Sequence, residues 1–276
     1  RLPQITGRVI EFGSRDINGT VRDLIDDSDY LGIDLVDGGN VDVVGDCTEI
    51  APGTRIICPE FRVGEYTKIH RNCLLHGYKP MTIGSNCWIG EGTVLDSIGG
   101  LEIGNNVGIG AHSQVWTHAQ HGDIVEGCRF HSSRHVEIED DVWLVGHCIS
   151  SAELLREKSM VMAGSVITHN TEYNHVYAGV PAVDVTHKLG TQFDERPWVL
   201  PSSRLFRMEK VVHEFEKKNP EFLGLIVPCS EWPKHAPAPG RSYFNVTERR
   251  YTKLFTPAEI AFRRQNPLVR MLPVEV

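Results

Sequence analysis

The stretch Ile83-Gly-Ser-Asn-Cys-Trp-Ile-Gly-Glu-Gly-Thr-Val-Leu95 sets Ile83, Ile89 and Leu95 six residues apart. The same beat runs before it, at Val44, Ile50 and Ile56, then at Val63, Ile69 and Leu75. It runs after it at Ile103, Ile109 and Val115, resumes at Ile138 and Leu144, and returns at Leu155, Val161 and Ile167. A small residue often follows the aliphatic one: Gly45, Gly64, Gly84, Gly90, Gly104, Gly110. A short fixed period is the mark of a solenoid in which each repeat contacts only its neighbours. A unit with one inward aliphatic and a tight turn fits a parallel β-helix, its coils stacked about 4.8 Å apart. Glycine supplies corner conformations that side chains resist.

These repeats, the corner Ile50-Ala-Pro-Gly-Thr54 and the segment Tyr177-Ala-Gly-Val-Pro-Ala182 resemble the hexapeptide-repeat acyltransferases, in particular the galactoside and polysaccharide acetyltransferase branch. The resemblance covers about half the chain. It implies a mainly β protein, a left-handed parallel β-helix, and a homotrimer; period alone gives neither the hand nor the trimer. The expected organisation is a small α/β cap over 1–40, the β-helix over 41–186, and a part-helical extension over 187–276.

With 276 residues the chain has room for one large domain or a core with attachments, and its net charge of −8 disfavours nucleic acid or an anionic membrane as partner. No apolar run reaches the roughly 18 residues of a membrane span. Nothing at Arg1 reads as a signal peptide, and seven cysteines without a CxxC pair fit a reducing cytoplasm. Cys47, Cys73, Cys87 and Cys148 fall inside repeats, where they read as small buried fillers.

Three segments depart from the beat. Before it, Gly7–Gly13 and Tyr30–Leu35 read as strands and Val21–Ile25 as a short helix, a βαβ-like unit. Glu11-Phe-Gly-Ser-Arg-Asp-Ile-Asn-Gly19 with Gly32-Ile-Asp34 resembles the opening of a class I methyltransferase, though some forty residues are too few for a whole cofactor sheet. Within the solenoid, Trp116 to Arg134 breaks the spacing and carries His118, His121 and His131. An excursion from a rigid scaffold is a common seat of function. After Thr186, proline becomes frequent. Leu205, Met208, Val212 and Phe215 form a helical stripe ending at Asn219-Pro220, and Thr256-Pro-Ala-Glu259 is a capping box opening a helix towards Gln265.

Acyl transfer from a thioester needs a base for the acceptor's proton and donors for the oxyanion. Histidine is the usual base near neutral pH. In the resembled branch the catalytic histidine lies at the matching break, which places it at His118 or His121, with His118, directly after Val115-Trp-Thr, preferred. Solvated loop histidines are the bland alternative. Asp141-Val-Trp-Leu-Val-Gly146 resembles the family segment whose Trp lines the acceptor site and whose following amide faces the acyl group. By that match Trp143 stacks on a sugar and Gly146 offers the amide; otherwise Trp143 seals the core. Here Leu144-Val145 stands where the family has Ile-Gly, so an altered turn is expected. Ala163, Gly164, Ala178, Gly179 and Pro181 match coils that flank coenzyme A. The resemblance thus implies acetyl-CoA as co-substrate and a sugar or nucleotide sugar as acceptor. A γ-class carbonic anhydrase-like zinc protein is the competing reading, with His76, His112, His118 and His121 as raw material.

Overall fold

The computed structural model describes residues 10–12, 31–35, 40–45, 47–194, 201–233 and 238–274. The chain divides into two compact units, Arg1–Phe193 and Asp194–Val276.

The first unit is a three-sided parallel β-helix. Its first face stacks Asn40–Val44, Glu60–Val63, Met81–Ile83, Leu101–Ile103, Val136–Ile138 and Leu154–Leu155. The second stacks Glu49–Ile50, Lys68–Ile69, Trp88–Ile89, Gly108–Ile109, Trp143–Leu144, Met160–Val161 and Val176–Gly179, with Ala182–Asp184 folding back antiparallel. The third stacks Arg55–Ile57, Leu74–His76, Val94–Asp96, Gln114–Val115, Ile149–Ser150 and Val166–Ile167. Ladder partners carry the sequence beat: Ile83 pairs with Ile103, Ile89 with Ile109, Leu95 with Val115. Ile83, Ile89 and Leu95 are 1%, 0% and 0% exposed, so all three point into one prism. At the last coil Tyr177 takes the inward place of Val161.

The corners explain the residues between the aliphatics. Three positions before each inward residue of the second and third faces the backbone turns left-handed. At the first–second corner this falls on Tyr66, Asn86, Asn106, Asp141, Lys158 and Asn174; at the second–third corner on Gly53, Asn72, Gly92, His112, His147 and Gly164. Gly, Asn, Asp and His tolerate this region best. The next residue is small and buried, and its hydroxyl or thiol often stitches coils. Thr67 Oγ1 donates to the Gly84 carbonyl at 2.7 Å and accepts from the Cys87 amide at 3.0 Å. Cys73, Cys87 and Cys148 are buried fillers, whereas Cys47 is half-buried, because it occupies a left-handed corner position rather than an inward one.

Leu31–Leu35 pairs in parallel with Arg55–Ile57, and Ile10–Phe12 with Leu31–Leu35. The two strands expected in an N-terminal α/β cap therefore continue the third face. The helix expected at Val21–Ile25 lies outside the described residues, and so does most of the methyltransferase-like segment. No described helix is long and apolar enough to cross a membrane.

In the second unit the helical stripe is the helix Pro201–Lys218, with Met208, Val212 and Phe215 buried and a 3-10 turn at Pro220–Phe222. The capping box opens Pro257–Gln265: Thr256 Oγ1 accepts from the Glu259 amide at 3.1 Å. The fully buried Glu259 carboxylate accepts from Ser242 Oγ and from the amides of Leu254 and Phe255. This unit also holds a four-stranded sheet of Ile226–Cys229, Ser242–Asn245, Arg250–Thr252 and Leu272–Val274. Its strands are too short and too proline-broken to show a period.

One inward position breaks the apolar rule. Ser150 is fully buried beneath Ile167 and its hydroxyl has no partner. Leu95→Ala empties the prism and is expected to cost about 2–5 kcal/mol. Ser150→Ala removes an unpaired hydroxyl, whose burial costs roughly 1–3 kcal/mol, and is expected to be neutral or stabilising. Urea unfolding of the two variants checks the opposite signs; equal destabilisation would place Ser150 outside the prism.

Candidate active site

The beat stops after Val115 because the chain leaves the coil as a hairpin. His118–Gln120 pairs antiparallel with His131–Ser133, and the coil restarts at Val136 under Leu101. The departure is anchored by one carboxylate. Asp96 is the last residue of Val94–Asp96 on the third face, and its side chain is fully buried. Its Oδ2 accepts from the Thr117 amide at 2.8 Å, from Thr117 Oγ1 at 2.7 Å and from His118 Nδ1 at 2.7 Å. Its Oδ1 accepts from the Ile98 amide at 3.0 Å. Thr117 Oγ1 in turn accepts from the Gly99 amide at 2.8 Å.

Burial alone would raise the Asp96 carboxyl. The hydrogen bonds from His118, Thr117 and the Ile98 amide outweigh it, and its pKa lies below the usual aspartate value. An ionised carboxylate only accepts. The proton of a neutral His118 therefore sits on Nδ1, and Nε2 presents a lone pair. The ring is held with 18% of the side chain exposed, enough to meet a ligand. Trp116 packs edge-on to it at 6.1 Å between centroids, and the His76 ring lies 6.4 Å from Trp116. The structure thus distinguishes the two histidines: His118 is oriented by a buried acid, and His121 stands exposed on the hairpin.

Asp96 is the residue that reading the sequence missed. It lies 22 residues before His118, and the coil register alone brings them together. A His–Asp contact is not enough by itself to mark a site. His175 Nδ1 also meets Asp184 Oδ2 at 2.6 Å, but both side chains are more than a third exposed, and Asp184, held down to about 2 first by its hydrogen bond to Thr186, caps a surface turn.

The other expected site residues lie elsewhere on the prism. Trp143 is 44% exposed on the outer side of the second face, so it does not seal the core. Its indole rests on Gly108, where a Cβ would come within 3.1 Å of Cδ1. Gly146 belongs to the second–third corner, in register with Ala163, and the Gly164 amide donates to its carbonyl at 3.0 Å. The substitution of Leu144-Val145 for Ile-Gly leaves the turn in register: the Val145 amide bonds Val161 and the His147 amide bonds Ala111. Ala163 and Gly164 are exposed at this corner. The ridge continues to Gly179, whose amide donates to Ser165 Oγ at 3.0 Å, in the hairpin that carries Ala178 and Pro181. His118 sits at the other edge of the third face, towards the first. Within one chain, then, Gly146, Ala163, Gly164 and Gly179 share one ridge, while His118 and Asp96 share another edge. His76, His112, His118 and His121 form no common cluster, and among the described residues no three ligating side chains could hold a metal.

No family model matches the chain, and no curated protein does. Several solved structures are similar. A hexapeptide-repeat acetyltransferase of Vibrio cholerae O1 biovar eltor, complexed with acetyl coenzyme A, is 20% identical over 56% of this chain and 73% of that one, at a TM-score of 0.36. The N-acyltransferase AntD of Bacillus cereus, in complex with dTDP and 3-hydroxybutyryl-CoA, is 18% identical over 65% of this chain and 92% of that one, at 0.46. A point mutant of AntD with dTDP-4-amino-4,6-dideoxyglucose and coenzyme A is 20% identical over 51% and 83%, at 0.41. At these levels nothing about the chemistry of this chain follows from the likeness.

The depressed Asp96 pKa has a testable sign. A carboxyl whose folded value is lowered contributes stability that is complete above its unfolded value, about 3.9, and is lost as pH falls through the folded value. Relative to Asp96→Asn, the wild type should hold a constant advantage above roughly pH 5 that shrinks below about 4. Urea unfolding from pH 3 to pH 7 reads this, and an advantage that grows on acidification would contradict an ionised Asp96.

Proposed function

We propose that the protein is a coenzyme A-dependent acyltransferase that uses acetyl-CoA or a related donor. It acylates a hydroxyl or amino group of a sugar or nucleotide-sugar acceptor, with His118 as general base. The observation that carries this reading is the buried Asp96 that fixes the His118 tautomer at the break in the solenoid. Nε2 takes the acceptor's proton as its oxygen or nitrogen attacks the thioester carbonyl. The carbon–sulfur bond then breaks, and the imidazolium gives its proton to the leaving thiolate. Asp96 stabilises the imidazolium between the two transfers, the usual role of an acid behind a histidine base. The Gly146 amide is assigned to the developing oxyanion. The ridge of Ala163, Gly164, Ala178, Gly179 and Pro181 offers backbone and small side chains against which an extended pantetheine arm can lie, and Trp143 offers an exposed ring to a sugar face.

Because base and ridge occupy different edges of one prism, the site is complete only where two chains meet, and we assign the protein as a homotrimer. The outer columns support this. The first face presents Arg62, Thr82, Glu102 and Glu137 to water. The third presents Arg55 on its first coil and then Leu74, Val94, Gln114, Ile149 and Val166, and the second presents the paired Glu49 and Lys68 and then Trp88, Trp143 and Met160. Past these first coils, charged residues on outward strand positions are confined to the first face, which suits a prism that buries its other two sides against copies of itself.

His118→Ala should lower kcat by on the order of 10²–10⁴-fold with little change in KM for acyl-CoA, and Asp96→Asn should also lower kcat by releasing the tautomer. His121→Ala should act mainly on acceptor KM. Steady-state kinetics over a panel of hexoses and nucleotide amino sugars reads the ordering; an inactive His121→Ala beside an active His118→Ala would exchange their roles. Absence of heat on titrating acetyl-CoA and coenzyme A to millimolar concentration would remove the coenzyme from the reading altogether.

Ile149→Glu places a carboxylate in the apolar third face and should turn a trimer into monomers with loss of activity, as read by sedimentation. A wild type that sediments as an active monomer would refute the shared site.

A further inference from the structure

Outside the site described, His112 and His147 occupy the same corner position on successive coils. Both are left-handed, with φ of 57° and 51°, so both side chains leave the corner in the same direction. Their ring centroids are 5.1 Å apart and their planes inclined by 36°. Both residues are exposed. No hydrogen bond or ion pair engages either ring among the described residues, so their ring nitrogens are unspent. The same column is glycine on either side. His112 leans over Gly92, where a Cβ would come within 2.5 Å of Nδ1, and beyond His147 a Cβ on Gly164 would meet nothing within 4 Å. The backbone beneath is fixed by coil hydrogen bonds from the His112 amide to Glu91 and the His147 amide to Ala111, both 2.8 Å.

Two imidazoles that share a tetrahedral ion through metal–nitrogen bonds of about 2.0–2.1 Å place their ring centroids roughly 5 Å apart. The observed separation meets that distance requirement, and rotation of two exposed side chains on a fixed backbone is what aims one nitrogen of each at the ion. We infer that His112 and His147 form a two-histidine site for a borderline divalent transition ion such as Zn²⁺ or Cu²⁺. Two protein nitrogens hold the ion and water completes its shell, since among the described residues no third ligating side chain joins the pair. Imidazole favours these ions over oxygen-seeking Mg²⁺, and the general affinity order puts Cu²⁺ above Zn²⁺. The inference is independent of the acyltransferase reading, and its test requires no catalysis.

Tag-free protein is titrated calorimetrically with Zn²⁺, Cu²⁺ and Mg²⁺, alongside His112→Asn, His147→Asn and a control, His175→Ala. Asparagine is chosen because Asn72 already occupies this column in the same conformation, with φ of 58°. The expected result is one equivalent bound with Cu²⁺ tighter than Zn²⁺, and no heat with Mg²⁺. Each asparagine variant should lose at least the roughly 10–100-fold that loss of even an outer-shell partner costs, and the control should match wild type. Unchanged thermal melts without metal confirm that the variants are folded. Binding that survives both asparagine substitutions, binding lost in the control, or no Zn²⁺ or Cu²⁺ binding by wild type at millimolar concentration would each overturn the assignment.

Discussion

Strands of two to four residues cannot persist alone, and most of the strands in this β-helix are that short. What holds each is the pair of coils above and below, which take its backbone hydrogen bonds, and the prism of side chains they jointly enclose. That mutual dependence dictates the rest. A coil can stack only if its inward residue lies over the one beneath, which fixes the register. At the first–second and second–third corners it turns in so few residues because one backbone position goes left-handed. It can close on its neighbour only if the next residue is small. Gly64-Glu-Tyr-Thr, Gly84-Ser-Asn-Cys and Gly104-Asn-Asn-Val are three answers to one geometric demand.

A solenoid under this constraint has a difficulty wherever its chain leaves the stack, because backbone groups lose partners there. Asp96 resolves it at the hairpin. It takes the Thr117 amide and hydroxyl as the chain departs, while Thr117 Oγ1 secures the Gly99 amide on the coil below. The carboxylate that closes this gap is the one that holds the His118 ring. One buried group thus both closes the gap in the stack and orients the imidazole ring. The excursion and the oriented imidazole are therefore one feature, joined by the same carboxylate.

How much of this was legible in the sequence follows from which contacts are local. The beat, the glycine corners, the helix after Pro201 and the Thr256 cap all depend on spacings of six residues or fewer, and each is found where the spacing put it. The break at Trp116 was equally plain. The partner of His118 was not, because coil neighbours lie about twenty residues apart and Asp96 reads, in its own segment, as an ordinary turn residue after Leu95. Once the coil length is known, a carboxylate one coil before a loop histidine is a signal that could be sought. The second unit's four-stranded sheet stayed hidden for another reason: its order interleaves parallel and antiparallel neighbours, with Ile226–Cys229 beside Ser242–Asn245 and Arg250–Thr252 beside Leu272–Val274, and no local period encodes that.

The same regularity governs where chemistry can be placed. Inward positions are closed to it, since an unpaired polar group there, such as Ser150, is a cost without a use. Outward strand positions form columns that serve a face as a whole, which is why Trp88 and Trp143 share a side with Met160 and the carboxylates Glu102 and Glu137 share another. Only the corners bring single side chains and bare backbone together at fixed spacing. The ridge from Gly146 to Gly179 is one product of that, and the paired rings of His112 and His147 are another, on adjacent residues of the same corner. The ridge and the imidazole pair lie one residue apart, at Gly146 and His147. Bare backbone and paired imidazoles thus share one corner, because the coil repeat sets both at the same spacing.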